Sequence, residues 1–199
     1  WPPVADEADV GRWRAAYQDG TSEGPPSVSY TTRPARTADV KAIRAIVAPL
    51  VAQRRLVAKD AVQYYEALQQ FRVVETDGGP EATPRQVVGC GALHVLWDDL
   101  AEVRTIAVAP EHLGRGAGHI LLADLLEDAR SLGVRRVFCL TFETEFFTRH
   151  GFEPIDGQAV PPEIYAELLR SYDEGVAEFL DLERVKPNTL GNTRMLRSL

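Results

Sequence analysis

Apolar positions along the chain change repeatedly between the spacing typical of strands and the spacing typical of helices. Alternating or β-branched apolar runs predict strands at residues 28–33, 71–75, 86–96, 101–109, 134–141, 151–155 and 175–183. Runs in which apolar residues recur at helical spacing predict helices beginning near residues 37, 60, 117, 143 and 161. The resulting order, β-αα-βββ-α-β-α-β-α-β, predicts an α/β (α+β) fold in which helices flank a mixed sheet of about seven strands.

Local signals sharpen three of these elements. The loop 76–84 is rich in glycine and proline, so we expect a hairpin between the strands on either side of it. Asp60 is placed to cap the second helix, whose predicted apolar face contains Val62, Tyr65 and Leu68. Gly89 and Gly91 within the third strand indicate a bulge or a close approach of another element.

The stretch from Leu100 to Ile120 is the most distinctive part of the chain. An apolar strand ends at Pro110, Gly114, Gly116 and Gly118 follow, and a helical apolar repeat begins directly after them. A strand, glycine loop and helix in this order direct backbone N–H groups and a helix dipole at one point, which suits a phosphate. A plain tight turn is the alternative. The Rossmann and Walker patterns are not matched, because the spacing is G-x-G-x-G and no Gly-Lys-Ser/Thr follows.

Composition limits the function classes. The chain has 199 residues, enough for one domain with a substantial core. It carries 22 basic and 29 acidic residues, a net charge of −7, which argues against general binding of nucleic acid. No apolar run approaches the ~18 residues of a membrane helix, and the start is too polar for a signal peptide. We therefore expect a cytoplasmic protein.

The remaining sequence features concern domain limits and cysteines. Residues 1–27 are predicted to be an N-terminal extension, in which Val10, Trp13 and Tyr17 would share one face of a short helix. Residues 28–199 are predicted to be one domain with a polar, basic C-terminal tail. The two cysteines, Cys90 and Cys139, fall in predicted strands, so we expect buried free thiols. No zinc-ligand spacing is present, and we expect no metal.

Two segments resemble the GNAT acyl-CoA N-acyltransferases. The family motif, [Arg/Gln]-x-x-Gly-x-[Gly/Ala], is matched by residues 113–118, with Leu113 in place of Arg or Gln. The segment 147–154, Phe-Thr-Arg-His-Gly-Phe-Glu-Pro, also matches, with Phe147 where the family often has a Tyr that protonates the thiolate. The resemblance covers roughly residues 29–185.

At finer grain the chain is similar to the acetyltransferase domains of N-acetylglutamate synthases. The supporting stretches are residues 48–57, 101–110, 137–141 and 147–156. Because no amino-acid-kinase domain precedes them, we expect a short stand-alone bacterial form. The resemblance implies transfer of acetyl from acetyl-CoA to the α-amino group of L-glutamate or L-glutamine, the first step of arginine biosynthesis. Glutamate and glutamine differ only at the distal group, and the sequence does not decide between them.

The resemblance also implies a set of residues that contact CoA. Backbone groups of the glycine loop would hold the pyrophosphate, Arg115 or Arg149 would meet the 3′-phosphate, and the strand before the loop would hold the pantetheine. The implied CoA-binding residues are Ile106, Ala107, Val108, Leu113, Gly114, Arg115, Gly116, Ala117, Gly118, Phe147 and Arg149. Either His112 or Arg115 would supply the basic charge that Leu113 lacks.

Two residues are implied in catalysis. Glu102 matches the glutamate that acts as base in the synthases, and an exposed strand-end carboxylate is the alternative. Thr141 matches a hydroxyl position that serves the leaving thiolate, by positioning or through a water. The alternative for Thr141 is a strand-end cap.

A dicarboxylic acceptor, or its amide, needs cations. Arg104 lies two residues from Glu102, so alternation along the strand predicts that both side chains share one face. The candidate acceptor-binding residues are Arg55, Lys59, Arg104 and Arg170, each with a surface cation as the alternative.

Two rival functions stay open: a GNAT enzyme for another primary amine (a peptide N-terminus, polyamine or xenobiotic), and a non-catalytic acetyl-CoA-binding regulatory module. A homodimer also stays open.

Overall fold

The computed structural model describes residues 28–76, 85–180, 182 and 191–199. Its strands are β1 (Tyr30–Pro34), β2 (Phe71–Thr76), β3 (Val87–Trp97), β4 (Leu100–Val108), β5 (Arg136–Thr141), β6 (Glu153–Pro154) and β7 (Thr193–Ser198). Its helices are α1 (Val40–Ala52), α2 (Ala61–Glu66), α3 (Ala117–Ser131), α4 (Thr144–Arg149), α5 (Pro162–Leu168) and α6 (Glu174–Phe179). The predicted extension 1–27, its helical face and most of the loop 76–84 lie outside the described residues.

The described strands form one mixed sheet of seven strands in the order β1-β2-β3-β4-β5-β7-β6. β1 pairs antiparallel with β2, and β2 pairs antiparallel with β3 as the predicted hairpin. β4 and β5 are parallel, with Leu100 opposite Arg136 and Glu102 opposite Phe138. Two parallel neighbours cannot be joined by a tight turn, and α3 supplies the crossover connection that they need. The predicted fold class is therefore confirmed.

The end of the chain differs from the prediction. Residues 175–183 were expected to form the last strand, but Glu174–Phe179 is helical and the last strand is Thr193–Ser198. Val176, Phe179 and Leu180 are spaced for one face of a helix, and all three are buried. The last residues of the predicted tail instead form β7, which pairs antiparallel with β5 and β6.

The capping of α2 is confirmed, but its buried face is not the predicted one. Asp60 and Gln63 form a capping box, in which the Asp60 N–H donates to Gln63 Oε1 at 2.7 Å. Of the predicted face, Val62 and Tyr65 are exposed and only Leu68 packs against the core, whereas Tyr64 is buried against Phe71, with ring centroids 6.0 Å apart. A six-residue helix gives too few apolar positions to fix its phase from the sequence.

The chain divides into two compact units, each with its own apolar cluster. The described residues up to Ala92, with Thr105–Leu125, make one unit, and Leu93–Arg104 with Leu126–Leu199 make the other. The first cluster is centred on Val40, Ile43, Val47, Tyr64, Phe71, Val73 and Cys90. The second is centred on Leu96, Leu100, Phe138, Leu168, Val176 and Phe179.

The glycines of β3 mark close approaches, as predicted. A Cβ atom at Gly91 would lie 3.0 Å from Leu125 Cδ1, and one at Gly89 would lie 3.2 Å from the carbonyl oxygen of Ala107. Both distances are shorter than ordinary carbon contacts, so a side chain at either position would displace its neighbours. Within the described ranges, no helix is long and apolar enough to cross a membrane.

The buried position of Met195 tests the assignment of β7. We expect Met195→Ala to lower the free energy of unfolding by about 2–5 kcal/mol, because it leaves a cavity in a fully buried site. Urea denaturation measures the change. Leu132→Ala, at an exposed position, is the control and should have little effect. Equal effects of the two substitutions would contradict a buried last strand at 193–198.

The two cysteines are free and buried, as expected. Burial raises the pKa of the Cys90 thiol to about 12, and burial followed by the charge of Glu102 raises the pKa of Cys139 well above its usual value. Because the thiolate is the reactive form, we expect iodoacetamide at pH 8 to modify neither residue in the folded protein. Both should react readily in guanidinium chloride. Rapid alkylation of the native protein, detected by mass spectrometry, would contradict the described burial.

Candidate active site

The glycine loop between β4 and α3 has the backbone form that an anion site needs. Pro110–His112 make a short 3-10 turn, and Gly114 and Gly116 adopt φ values of +70° and +91°. Side chains are strained at such angles, so glycine is favoured there. α3 begins at the buried Ala117, so its first N–H groups lie directly after the glycine turn. The loop therefore presents backbone donors and the positive end of the α3 dipole.

The surroundings of the loop contain a residue that the sequence did not reveal. The Tyr30 hydroxyl lies 2.9 Å from Nδ1 of His112, with the two rings edge-on at 5.7 Å. Burial raises the pKa of Tyr30, and the nearby positive charge of Arg115 opposes this rise. His112 is thus held by β1, whereas Arg115 and Leu113 are exposed. Of the two proposed sources of basic charge, Arg115 is the more accessible.

The two predicted CoA contacts beyond the loop lie on α4 in different settings. Phe147 is buried and packs edge-on against Phe152, with centroids 5.1 Å apart. Arg149 is exposed and lies 3.6 Å from Glu145 in an ion pair along the helix. Phe147 therefore fixes α4 to the body of its unit, and Arg149 offers a cation at the surface.

The three predicted pantetheine contacts, residues 106–108, follow an unusual backbone position. Thr105 has a φ of +59°, a conformation that β-branched residues rarely adopt. Such a residue costs about 1–3 kcal/mol and persists only where neighbouring contacts impose it. The Thr105 carbonyl lies 3.9 Å from the Cys90 thiol, which is within range of a weak hydrogen bond. The strained residue stands in β4 between Arg104 and Ile106.

Glu102 and Arg104 meet in a buried ion pair, as strand alternation predicts. Arg104 Nη2 lies 2.8 Å from Glu102 Oε2, an ion pair rather than an aligned hydrogen bond. The same guanidinium donates from Nη1 and Nη2 to the two carboxylate oxygens of Asp173, at 3.2 and 3.1 Å. Only 4% of Glu102 is exposed, so this carboxylate is not the exposed strand-end residue of the alternative reading.

Electrostatics couple further groups to this cluster. Burial acts to raise the pKa of Asp173, but the hydrogen bonds and charge of Arg104 hold it below its usual value. His94 Nε2 lies 3.7 Å from Asp173 Oδ2. The charge of Glu102 adds to the effect of burial on the Cys139 pKa. The cluster thus draws on β3, β4, β5 and the segment before α6.

Gly175 gives the Glu102 carboxylate its space. A methyl group at this position would overlap Glu102 Oε2 and would come within 3.0 Å of the carboxyl carbon and 3.1 Å of Arg104 Nη2. The start of α6 therefore lies directly against the ion pair. Any side chain at 175 would push the Glu102 carboxylate out of its present position.

Thr141 is buried at the end of β5, and its Oγ1 accepts a hydrogen bond from the Glu143 N–H at 2.9 Å. This bond supports the strand-end cap that the sequence left as an alternative. It uses the oxygen as an acceptor, so the hydroxyl hydrogen can still point elsewhere. A positioning role toward a leaving thiolate is compatible with this geometry.

The predicted acceptor cations do not share one environment. Arg104 is held between two carboxylates, whereas Arg170 is exposed and pairs with Glu167 at 2.7 Å. Arg55 and Lys59 are half-buried in the connection between α1 and α2. Among the described residues, no group of His, Cys, Asp and Glu is arranged to hold a metal ion.

Asp173 and Gly175 were missed because residues 175–183 were predicted to form a strand, with Asp173 in the connection before it. A signal was present, since an Asp before a helical apolar repeat is a typical N-cap, and Asp173 Oδ1 does accept the Val176 N–H at 3.2 Å. Its pairing with Arg104 joins residues 69 positions apart. No local pattern reports such a contact.

Known proteins share both sequence and fold with this chain. The acetyltransferase (GNAT) family matches residues 53–152. An amino-acid acetyltransferase from Mycobacterium tuberculosis is 53% identical over 88% of this chain and 98% of the relative. Another, from Aeromonas salmonicida, is 30% identical over 66% of this chain, which spans only 28% of that relative.

Solved structures of similar proteins share the fold of this chain. Rv2747 from Mycobacterium tuberculosis, in complex with CoA and NLQ, is 54% identical with a TM-score of 0.78, over 85% of this chain and 99% of that one. N-acetylglutamate synthase from Neisseria gonorrhoeae, complexed with coenzyme A and N-acetyl-glutamate, shares the fold at 24% identity and a TM-score of 0.65, over 86% of this chain and 35% of that one. The sequence match and the close relative together show that the chain belongs to the acetyltransferase (GNAT) family.

Proposed function

We propose that the protein transfers the acetyl group of acetyl-CoA to the α-amino group of L-glutamate or L-glutamine. The observation that carries the proposal is the Glu102 carboxylate, buried and paired with Arg104 on the strand that leads to the glycine loop. The close relative from Mycobacterium tuberculosis, an amino-acid acetyltransferase, supports an amino acid as the acceptor. With glutamate, the product would enter arginine biosynthesis, and the proposal includes a cytoplasmic location for the enzyme.

The glycine loop would hold the donor. The positive φ angles of Gly114 and Gly116 leave the backbone open to a pyrophosphate, which the first N–H groups of α3 would bind. Arg115, which is exposed within the loop, is the candidate cation for the remaining phosphate, and the exposed Arg149 is the alternative. These contacts use backbone and charge rather than a specific side-chain pattern. The replacement of Arg or Gln by Leu113 therefore leaves the main donors in place.

Glu102 would prepare the acceptor for attack. An α-ammonium group is mostly protonated at pH 7, so it must lose a proton before its nitrogen can act as nucleophile. Glu102 accepts that proton, and the nitrogen attacks the thioester carbonyl to form the C–N bond. Backbone N–H groups of Ile106 or Val108 would stabilise the resulting oxyanion, by roughly 3–4 kcal/mol. The C–S bond then breaks, the CoA thiolate leaves and takes up a proton from solvent, the nitrogen releases its second proton to solvent, and Glu102 returns its proton to solvent.

The direct test is CoA release from acetyl-CoA with a panel of amines. We expect turnover with glutamate or glutamine that exceeds turnover with the other amino acids, with polyamines and with a peptide N-terminus. Turnover of a different amine alone would replace the acceptor. Acetyl-CoA binding without turnover of any amine would favour a regulatory module. Either result would overturn the proposed function.

Replacement of Glu102 tests its role as base. We expect Glu102→Gln to lower kcat by about 10²- to 10⁴-fold, since the amide fills the same space but accepts no proton. The KM for acetyl-CoA should stay unchanged. Glu127→Gln is the matched control, because Glu127 is an exposed carboxylate paired with Arg130. Undiminished kcat in the Glu102 variant would exclude this residue as the base.

Gly175→Ala tests the position of the carboxylate without changing any functional group. The added methyl group displaces Glu102, so kcat should fall while CoA affinity stays as in the wild type. Isothermal titration with CoA counts the folded protein, and turnover is expressed per binding site. Full turnover per site would show that the position of Glu102 against α6 has no bearing on the reaction.

A further inference from the structure

We propose that Asp173 is a positioning residue for acetyl transfer, which acts on Glu102 through Arg104. The inference rests on the proposed function in one respect only, that Glu102 accepts the proton of the acceptor amine. Asp173 lies in the short segment between α5 and α6, far in sequence from β4. It was not part of the site predicted from the sequence.

Asp173 fixes the orientation of the Arg104 side chain. Two parallel hydrogen bonds, at 3.1 and 3.2 Å, fix the plane of the guanidinium against the carboxylate. Such bidentate pairs set orientation as well as distance. With the plane fixed, Nη2 lies 2.8 Å from Glu102 Oε2. A long and flexible arginine side chain would otherwise sample several rotamers around this carboxylate.

Asp173 is itself held firmly by its own segment. Its N–H donates to Ser171 Oγ at 3.1 Å, and its Oδ1 accepts the N–H of Val176 at 3.2 Å. The carboxylate therefore caps α6 and holds Arg104 at the same time. The same cap fixes the start of α6, where Gly175 lies against the Glu102 carboxylate. The Asp173 side chain thus holds both Arg104 and the start of α6, which are the two groups that lie against the Glu102 carboxylate.

A substitution at Asp173 has two opposite effects on the ionisation of Glu102, one from the lost charge and one from the lost orientation of Arg104. Glu102 faces Arg104 on β4 and Cys139 on β5, and Asp173 faces Arg104 and His94 on β3. The negative charge of Asp173 by itself disfavours a second carboxylate nearby, so its removal would make Glu102 easier to ionise. Loss of the Arg104 orientation would make Glu102 harder to ionise, because a buried carboxylate would lose its cation.

Two substitutions separate capping from positioning. Serine and asparagine cap helices about as well as aspartate, so Asp173→Ser and Asp173→Asn should both melt near the wild-type temperature. Asparagine keeps one acceptor oxygen for Arg104, whereas serine is too short to reach it. We expect kcat to fall in the order wild type, Asn, Ser, with a loss of roughly 10- to 100-fold for serine. The acidic limb of the kcat–pH profile should move to higher pH in the serine variant, by ~1 unit or more.

The pH profile decides the question, because a smaller folded fraction changes kcat but leaves the profile in place. A limb that stays fixed or moves to lower pH in Asp173→Ser would overturn the proposal, as would unchanged kcat. Glu127→Gln is again the control and should keep both kcat and the profile. The measurements use whichever primary amine the wild type acetylates. If the wild type acetylates only a different amine, the proposed substrate is wrong, but the test of Asp173 remains valid.

Discussion

The burial of a carboxylate beside a guanidinium is the constraint on which the proposed chemistry depends. Glu102 is almost fully buried, and an isolated charged carboxylate would be strongly disfavoured in such an environment. Arg104 offsets that penalty at a distance of 2.8 Å. A buried carboxylate that acts as a base needs low exposure to water, which raises its affinity for a proton, and a nearby cation, which keeps it ionised before the reaction. The pair of Glu102 and Arg104 meets both conditions.

β4 carries, in sequence order, the groups proposed for both halves of the reaction. Glu102 and Arg104 come first, the strained Thr105 follows, and then come the backbone groups proposed to hold the donor. The positive φ at Thr105 is a cost that the surrounding contacts must impose.

The sequence predicted the fold class, the β2–β3 hairpin, the glycine loop and the shared face of Glu102 and Arg104. Each of these depends on local periodicity or on residues close together in the chain. The prediction of the last strand was wrong. Residues 175–183 form a short apolar run, which does not by itself distinguish a strand from a helix, and β7 has only two apolar residues, the adjacent Met195 and Leu196. Asp173 and Tyr30 were missed for another reason. Their contacts with Arg104 and His112 are long-range, and only the packed structure brings them together.

The protonation state of Glu102 tests the central claim most directly. A ¹³C-labelled glutamate side chain, assigned by comparison with Glu102→Gln, reports the charge of this carboxyl by NMR. The account predicts an ionised carboxylate at pH 7 in the wild type, and a protonated one when Arg104→Met removes its cation. A Glu102 side chain that is protonated in the wild type, or equally ionised in both proteins, would contradict the account.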